Sequence, residues 1–202
     1  GATGTATQTV TASMPSNSVS QLGPTIPALT PNEQMGRSIA ISDDGNRIIV
    51  GAPFSSAGAS LSGQVRAFEW SGSDWVQLGQ SIDGFESSLL LGDDKGIAIS
   101  GDGQRIALGT PRSGPGSRGS VIVYELSGGM WVKIGQEIVP SGTSQFGTSV
   151  SLSTNGSRIV IGGPLGGGRV EVYDLLGSTW TQVGASLMGT APERLGYDVS
   201  IS

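Results

Sequence analysis

Ser42-Asp43-Asp44-Gly45-Asn46-Arg47-Ile48-Ile49-Val50-Gly51-Ala52-Pro53 returns twice along the chain. It comes back as Ser100-Gly101-Asp102-Gly103-Gln104-Arg105-Ile106-Ala107-Leu108-Gly109-Thr110-Pro111 and as Ser153-Thr154-Asn155-Gly156-Ser157-Arg158-Ile159-Val160-Ile161-Gly162-Gly163-Pro164. A repeat of this kind buries its apolar faces only against neighbouring copies, so the period decides the architecture before any residue propensity does.

Each copy reads outward into four short strands. The first alternates, in Ser38-Ile39-Ala40-Ile41-Ser42, Gly96-Ile97-Ala98-Ile99-Ser100, Ser149-Val150-Ser151-Leu152-Ser153 and Asp198-Val199-Ser200-Ile201-Ser202, and period two with branched residues on one face is the strand signature. Asp44-Gly45, Asp102-Gly103 and Asn155-Gly156 follow; such dipeptides predict two-residue hairpin turns. The second strand, as in Ile48-Ile49-Val50, is apolar on both faces, as a strand buried between layers must be. It ends on Gly51-x-Pro53, Gly109-x-Pro111 and Gly162-x-Pro164. After a Gly- and Ser-rich loop of variable length come third strands over Gln64 to Trp70, Ser120 to Leu126 and Arg169 to Leu175. Fourth strands open on Trp75, Trp131 and Trp180. The same spacing separates Phe68 from Trp75, Tyr124 from Trp131 and Tyr173 from Trp180, which places both rings of a copy in one layer.

Four hairpin-linked strands per copy, with no amphipathic helix, predict an all-β fold: a β-propeller of about four four-stranded units, the last blade incomplete within the chain. The residues resemble the FG-GAP repeat, the blade unit of integrin α-subunit heads. Phe146-Gly147 matches the first half of that motif, Met35-Gly36, Leu91-Gly92 and Leu195-Gly196 are variants of it, and Gly51-Ala52-Pro53 matches the second half. The aromatic and Trp spacing is also similar to kelch repeats, and the Ser-x-Asp-Gly hairpin to WD-repeat and lactonase-like propellers. One domain, 1–202, is expected, with units over about 1–50, 51–108, 109–161 and 162–202. The first is a degenerate copy: Ser20-Gln21-Leu22-Gly23-Pro24-Thr25-Ile26 aligns with Val76 to Ile82, Thr9 to Met14 falls where a third strand belongs, and Val19 stands at the Trp position. The count is then four units less one strand. Three readings follow: a piece of a longer array, a strand supplied by another protomer, or a three-stranded closing blade.

Composition narrows function. The formal charge is −5 with 11 basic residues set singly, which argues against nucleic acid and anionic lipid. Without Cys or His there is no disulfide, zinc-thiolate site, Ser-His-Asp set or Cys-His set. The chain opens on Gly1 with no signal-peptide pattern, as expected of a mature or excised segment. The resemblance implies calcium in the first hairpin of a blade, held by a series of Asp or Asn oxygens. The hairpins here, such as Asp43-Asp44-Gly45-Asn46, lack that series, so no metal or other cofactor is expected.

No catalytic residue is expected either. Asp93-Asp94 reads as an insertion in one unit, a solvated bulge. Arg47, Arg105 and Arg158 recur just after the turn and are expected to bond hairpin carbonyls or a neighbouring blade. Gly51, Pro53, Gly109, Pro111, Gly162, Pro164, Trp75, Trp131 and Trp180 complete the structural set. Asn155-Gly156-Ser157 is an N-glycosylation acceptor on an exposed turn, and Thr3, Thr5, Thr7, Thr9 and Thr11 near prolines suit O-glycans. The expectation from these features is a non-enzymatic extracellular or cell-surface protein, structural or adhesive. It would act through itself, other extracellular proteins or glycans, and self-assemble into a filament or matrix by strand complementation. The alternative is a ligand-recognition domain of a larger adhesin or receptor, using the loops Phe54 to Gly63 and Arg112 to Gly119.

Overall fold

The structure is a computed structural model and describes residues 20–202 except Asp94 and Thr143. The all-β expectation holds: among the described residues there are three antiparallel sheets, none closed into a barrel, and one short 3-10 turn at Leu165–Gly167. The first sheet is β1 (Ser38–Ile41), β2 (Arg47–Ala52), β3 (Gln64–Trp70) and β4 (Trp75–Gln77), with β5 (Ile82–Asp83) also on β3. The second is β6 (Ile97–Ile99), β7 (Arg105–Gly109), β8 (Val121–Ser127) and β9 (Met130–Lys133). The third is β10 (Ser149–Leu152), β11 (Arg158–Gly163), β12 (Arg169–Leu176) and β13 (Thr179–Gln182), with β14 (Leu187–Met188) on β12. Each sheet takes its first two strands from one of the units numbered above and the next two from the following unit.

Two stretches expected as strands are not. Asp198 to Ser202 is unpaired because no second strand among the described residues lies beside it; Ile201 N donates to Ser151 Oγ at 3.1 Å. Ser20 to Ile26 is irregular, yet it keeps the local turn of its counterpart. Gln21 Nε2 donates to Gly23 O and Thr25 Oγ1 at 3.1 and 3.4 Å, as Gln77 Nε2 does to Gly79 O and Ser81 Oγ at 3.2 and 3.3 Å. The rest of the degenerate copy, with Val19 and Thr9 to Met14, lies outside the described residues. The hairpins also differ from expectation. Gly45 N closes a turn on Ser42 O and Ser42 N pairs with Arg47 O, both at 2.9 Å, so the loop is longer than two residues. Only Gly45, Gly103 and Gly156 take positive φ. The preceding Asp or Asn instead bonds forward: Asp44 Oδ1 accepts from Asn46 N and Asp102 Oδ1 from Gln104 N at 2.9 Å, and Asn155 Oδ1 accepts from Ser157 N at 3.0 Å. This Asx geometry needs one left-handed residue rather than two.

The sheets stand side by side with their first strands adjacent, β1 by β6 and β6 by β10. Between the first two lies a core of Ile49, Val65, Ile97, Ile106, Leu108 and Trp131; between the second and third lie Val121, Val123, Phe146, Ile159, Ile161 and Trp180. The repeated glycines explain the close approach. A Cβ on Gly51 would fall on Gly92 O, one on Gly109 on Gly147 O, and one on Gly162 on Gly196 O. The Gly of each Gly-x-Pro thus meets the Gly of the next apolar-Gly pair, backbone on backbone. A second device works at the rim. Trp131 N donates to Gln80 Oε1 at 3.0 Å and Gln80 Nε2 to Trp131 O at 2.7 Å; Gln136 holds Trp180 the same way at 2.9 and 2.6 Å. One amide side chain per junction therefore satisfies the free edge of the next sheet's outer strand. The segment before β1 is tied in by a buried ion pair between Glu33 and Arg66.

Candidate functional site

Each of the three first strands, and the unpaired stretch Asp198 to Ser202, is introduced by an apolar-Gly turn, and all four glycines, Gly36, Gly92, Gly147 and Gly196, take positive φ. The residue after the glycine differs every time: Arg37, Asp93, Thr148 and Tyr197. Because the turns are equivalent and the first strands adjacent, these four positions converge. Asp93, Thr148 and Tyr197 line a cavity of about 400 Å³, and Arg37, Thr148 and Tyr197 line a second of about 260 Å³ with Lys95. The loops after β7 and β11 close the larger cavity with Pro111, Arg112 and Pro164, and Glu193 and Arg194 complete its wall.

Charge is concentrated here. Arg37 Nε bonds Asp93 Oδ1 at 2.5 Å, while Arg112 Nη2 stands 3.9 Å from Asp93 Oδ2. Lys95 Nζ reaches Asp198 Oδ2 at 2.5 Å and lies 5.2 Å from the Tyr197 ring centre. Glu193 Oε2 accepts from Thr190 N at 3.1 Å and from Thr190 Oγ1 at 3.2 Å, and its Oε1 makes no hydrogen bond among the described residues. Asp93, expected as part of a solvated bulge, is only 16% exposed and sits between two arginines; its neighbour Asp94 is outside the described residues. Lys95, two positions after Asp93, reaches a residue 103 positions away.

The residues singled out by repetition lie elsewhere. Arg47, Arg105 and Arg158 pair with Glu69, Glu125 and Asp174 of the same sheet. Arg47 Nη1 and Arg105 Nη1 also donate at 3.2 Å to Gly103 O and Gly156 O of the next hairpin. Asn155 sits on the same hairpin side, at the opposite ends of the first strands from the cavities. Trp131 and Trp180 are 3% and 2% exposed, their indole N–H groups bonded to Leu78 O at 2.9 Å and Ile134 O at 3.3 Å. Trp75 is half-buried against Trp70, with ring centres 5.4 Å apart; Pro24 stands where the other junctions have the clasping Gln. Among these repeated residues, Pro111 and Pro164 alone touch the larger cavity. Thr3, Thr5, Thr7, Thr9 and Thr11 lie outside the described residues. Sequence reading missed Arg37, Lys95, Thr148, Glu193, Arg194 and Tyr197. The available signal was the one position of the lead-in turn at which the copies disagree.

No protein-family model matches the chain, nor does any curated relative. Solved structures resemble it. A candidate 6-phosphogluconolactonase from Bacteroides fragilis superposes with a TM-score of 0.57 at 13% identity, over 84% of this chain and 42% of that one. Another, from Bacteroides uniformis, gives 0.50 at 18% identity over 76% and 41%. The chain spans about two-fifths of the length of either, and at such identities the likeness is one of fold. It overturns the expectation of a non-enzymatic adhesive or filament-forming protein, and with it the adhesin or receptor domain. Both of these structures carry enzyme names.

Proposed function

We propose that the three sheets are consecutive blades of a β-propeller with FG-GAP-like units, and that the larger cavity hydrolyses a cyclic ester of a sugar acid or similar polyol. The observation that carries this reading is the convergence of the non-repeating positions Asp93, Thr148 and Tyr197 on one cleft that also contains Glu193. The resemblance to two candidate 6-phosphogluconolactonases supports the choice of reaction. Lactone hydrolysis needs a base for water and a donor for the carbonyl oxygen; neither has to be histidine. Glu193, fixed by Thr190 through Oε2, takes the proton of the attacking water through Oε1. The Tyr197 hydroxyl donates to the carbonyl oxygen. The water oxygen bonds to the carbonyl carbon, the ring C–O bond then breaks, the leaving alkoxide takes back from Glu193 the proton that came from the water, and the product is the open hydroxy acid.

The test is acid release from a panel of five- and six-membered sugar lactones, followed at constant pH against the uncatalysed rate. Hydrolysis above background that falls by about 10²-fold or more in Glu193→Gln, with unchanged thermal unfolding, is the expected result. A rate equal to background for every lactone, or undiminished in Glu193→Gln, overturns it.

A further inference from the structure

We infer that the cleft carries an anion subsite formed by Arg112 and Arg194, so that its ligand bears a phosphate or carboxylate group; this rests on reading the cleft as the ligand site. The chain is acidic, yet Arg37, Lys95, Arg112 and Arg194 are among its 11 basic residues and all line these two cavities. Arg37 and Lys95 are each matched to a carboxylate at 2.5 Å. Arg112 and Arg194 are not. Arg112 approaches Asp93 only to 3.9 Å, beyond hydrogen-bond reach, and Asp93 already holds Arg37. Arg194 makes no ion pair or side-chain hydrogen bond among the described residues.

That pattern departs from the rest of the molecule. Arg47, Arg105, Arg158, Arg66 and Arg169 each have a carboxylate of the fold beside them. Among the other described basic residues, Arg118 and Lys133 share the unmatched state, and neither lines either cavity. Two guanidinium groups with their N–H donors unspent, facing one cleft, suit a planar carboxylate or tetrahedral phosphate bonded two donors at a time. Glu193 lies on the same wall, so an anion must seat on the arginine side while the neutral reacting end of the ligand lies toward Glu193.

The experiment is calorimetric titration of the protein with inorganic phosphate and, separately, with gluconate, at low and moderate salt. Binding of at least one probe is expected, weakened about tenfold or more by Arg112→Gln and by Arg194→Gln. The control Arg118→Gln, which changes net charge equally, leaves binding unchanged. Phosphate without gluconate assigns the subsite to phosphate, and the reverse to carboxylate. No binding of either, or equal weakening in Arg118→Gln, overturns the inference. The readout is independent of turnover: anion binding without lactone hydrolysis keeps the subsite and removes the hydrolase reading. Hydrolysis that neither anion inhibits does the opposite.

Discussion

At the scale of single residues, Asp44 shows how much one side chain can organise without being buried. The Ser42 hydroxyl donates to its carboxylate at 2.6 Å, and the Asn46 backbone and side chain add two further bonds at 2.9 and 3.0 Å. These donors favour the ionised form and hold the carboxyl down to about 2. In the unfolded chain the group titrates near an ordinary value of about 4. Its contribution to stability is therefore complete above that value and is lost as the pH falls toward 2. Asp44→Asn keeps the forward-bonding oxygen, as Asn155 does naturally, but not the charge. Differential scanning calorimetry from pH 5 to pH 2 is expected to show a smaller fall in Tm for Asp44→Asn than for the unaltered protein. Equal falls would show that the carboxylate contributes nothing. The same residue shows where sequence reading stopped. Asp-Gly announced a hairpin correctly, but whether Asp44 itself turns left-handed depends on the bond it makes to Asn46 N, and dipeptide identity does not contain that bond.

At the scale of elements, the strands were legible because period-two alternation in Ser38 to Ser42 marks an extended chain and continuous apolarity in Ile106-Ala107-Leu108 records two-sided burial; in β1, however, the isoleucines Ile39 and Ile41 face outward and Ser38 is buried. The third strand of the first sheet begins and ends where its pattern begins and ends, Gln64–Trp70. Less legible was why the strands end on Gly-x-Pro, since the reason lies in the neighbouring element. Gly109, at the end of β7, meets Gly147 of the turn that leads into β10. Gly109→Ala would push backbone against backbone, and the loss expected is about 2–3 kcal/mol, read as a Tm lower by roughly 5–10 °C. A change within 1 °C would mean that the two glycines do not touch in solution. The cleft residues were illegible for the opposite reason. Arg37, Asp93, Thr148 and Tyr197 occupy one position in four turns, but a search for what recurs discards a position that never repeats.

At the scale of the whole molecule, the main contacts between described strands of different sheets run between neighbouring sheets, so cooperativity depends on the junctions. Gln80 and Gln136 each cross one junction and leave a peptide N–H and C=O unpaired when removed. Each alanine variant is expected to cost about 1–2 kcal/mol, and the pair to add, since they serve separate junctions. In urea the double variant is expected to unfold over a broader range with a lower m-value, because the sheets begin to melt separately. Gln77→Ala, which gives up bonds only within its own turn, serves as the control and should leave m unchanged. An unchanged m in the double variant would place the coupling in the apolar layers alone.

The lead-in turns have a consequence for how such a chain can change over generations. The glycine and the apolar residue before it belong to the packing, and alterations there are purged with the fold. The residue that follows is free of that duty in every copy. Once an ancestral unit had been duplicated, each turn became an independent place at which heritable variation could sample a new side chain at a shared cleft. New ligand preferences could then arise one substitution at a time, with the scaffold inherited intact.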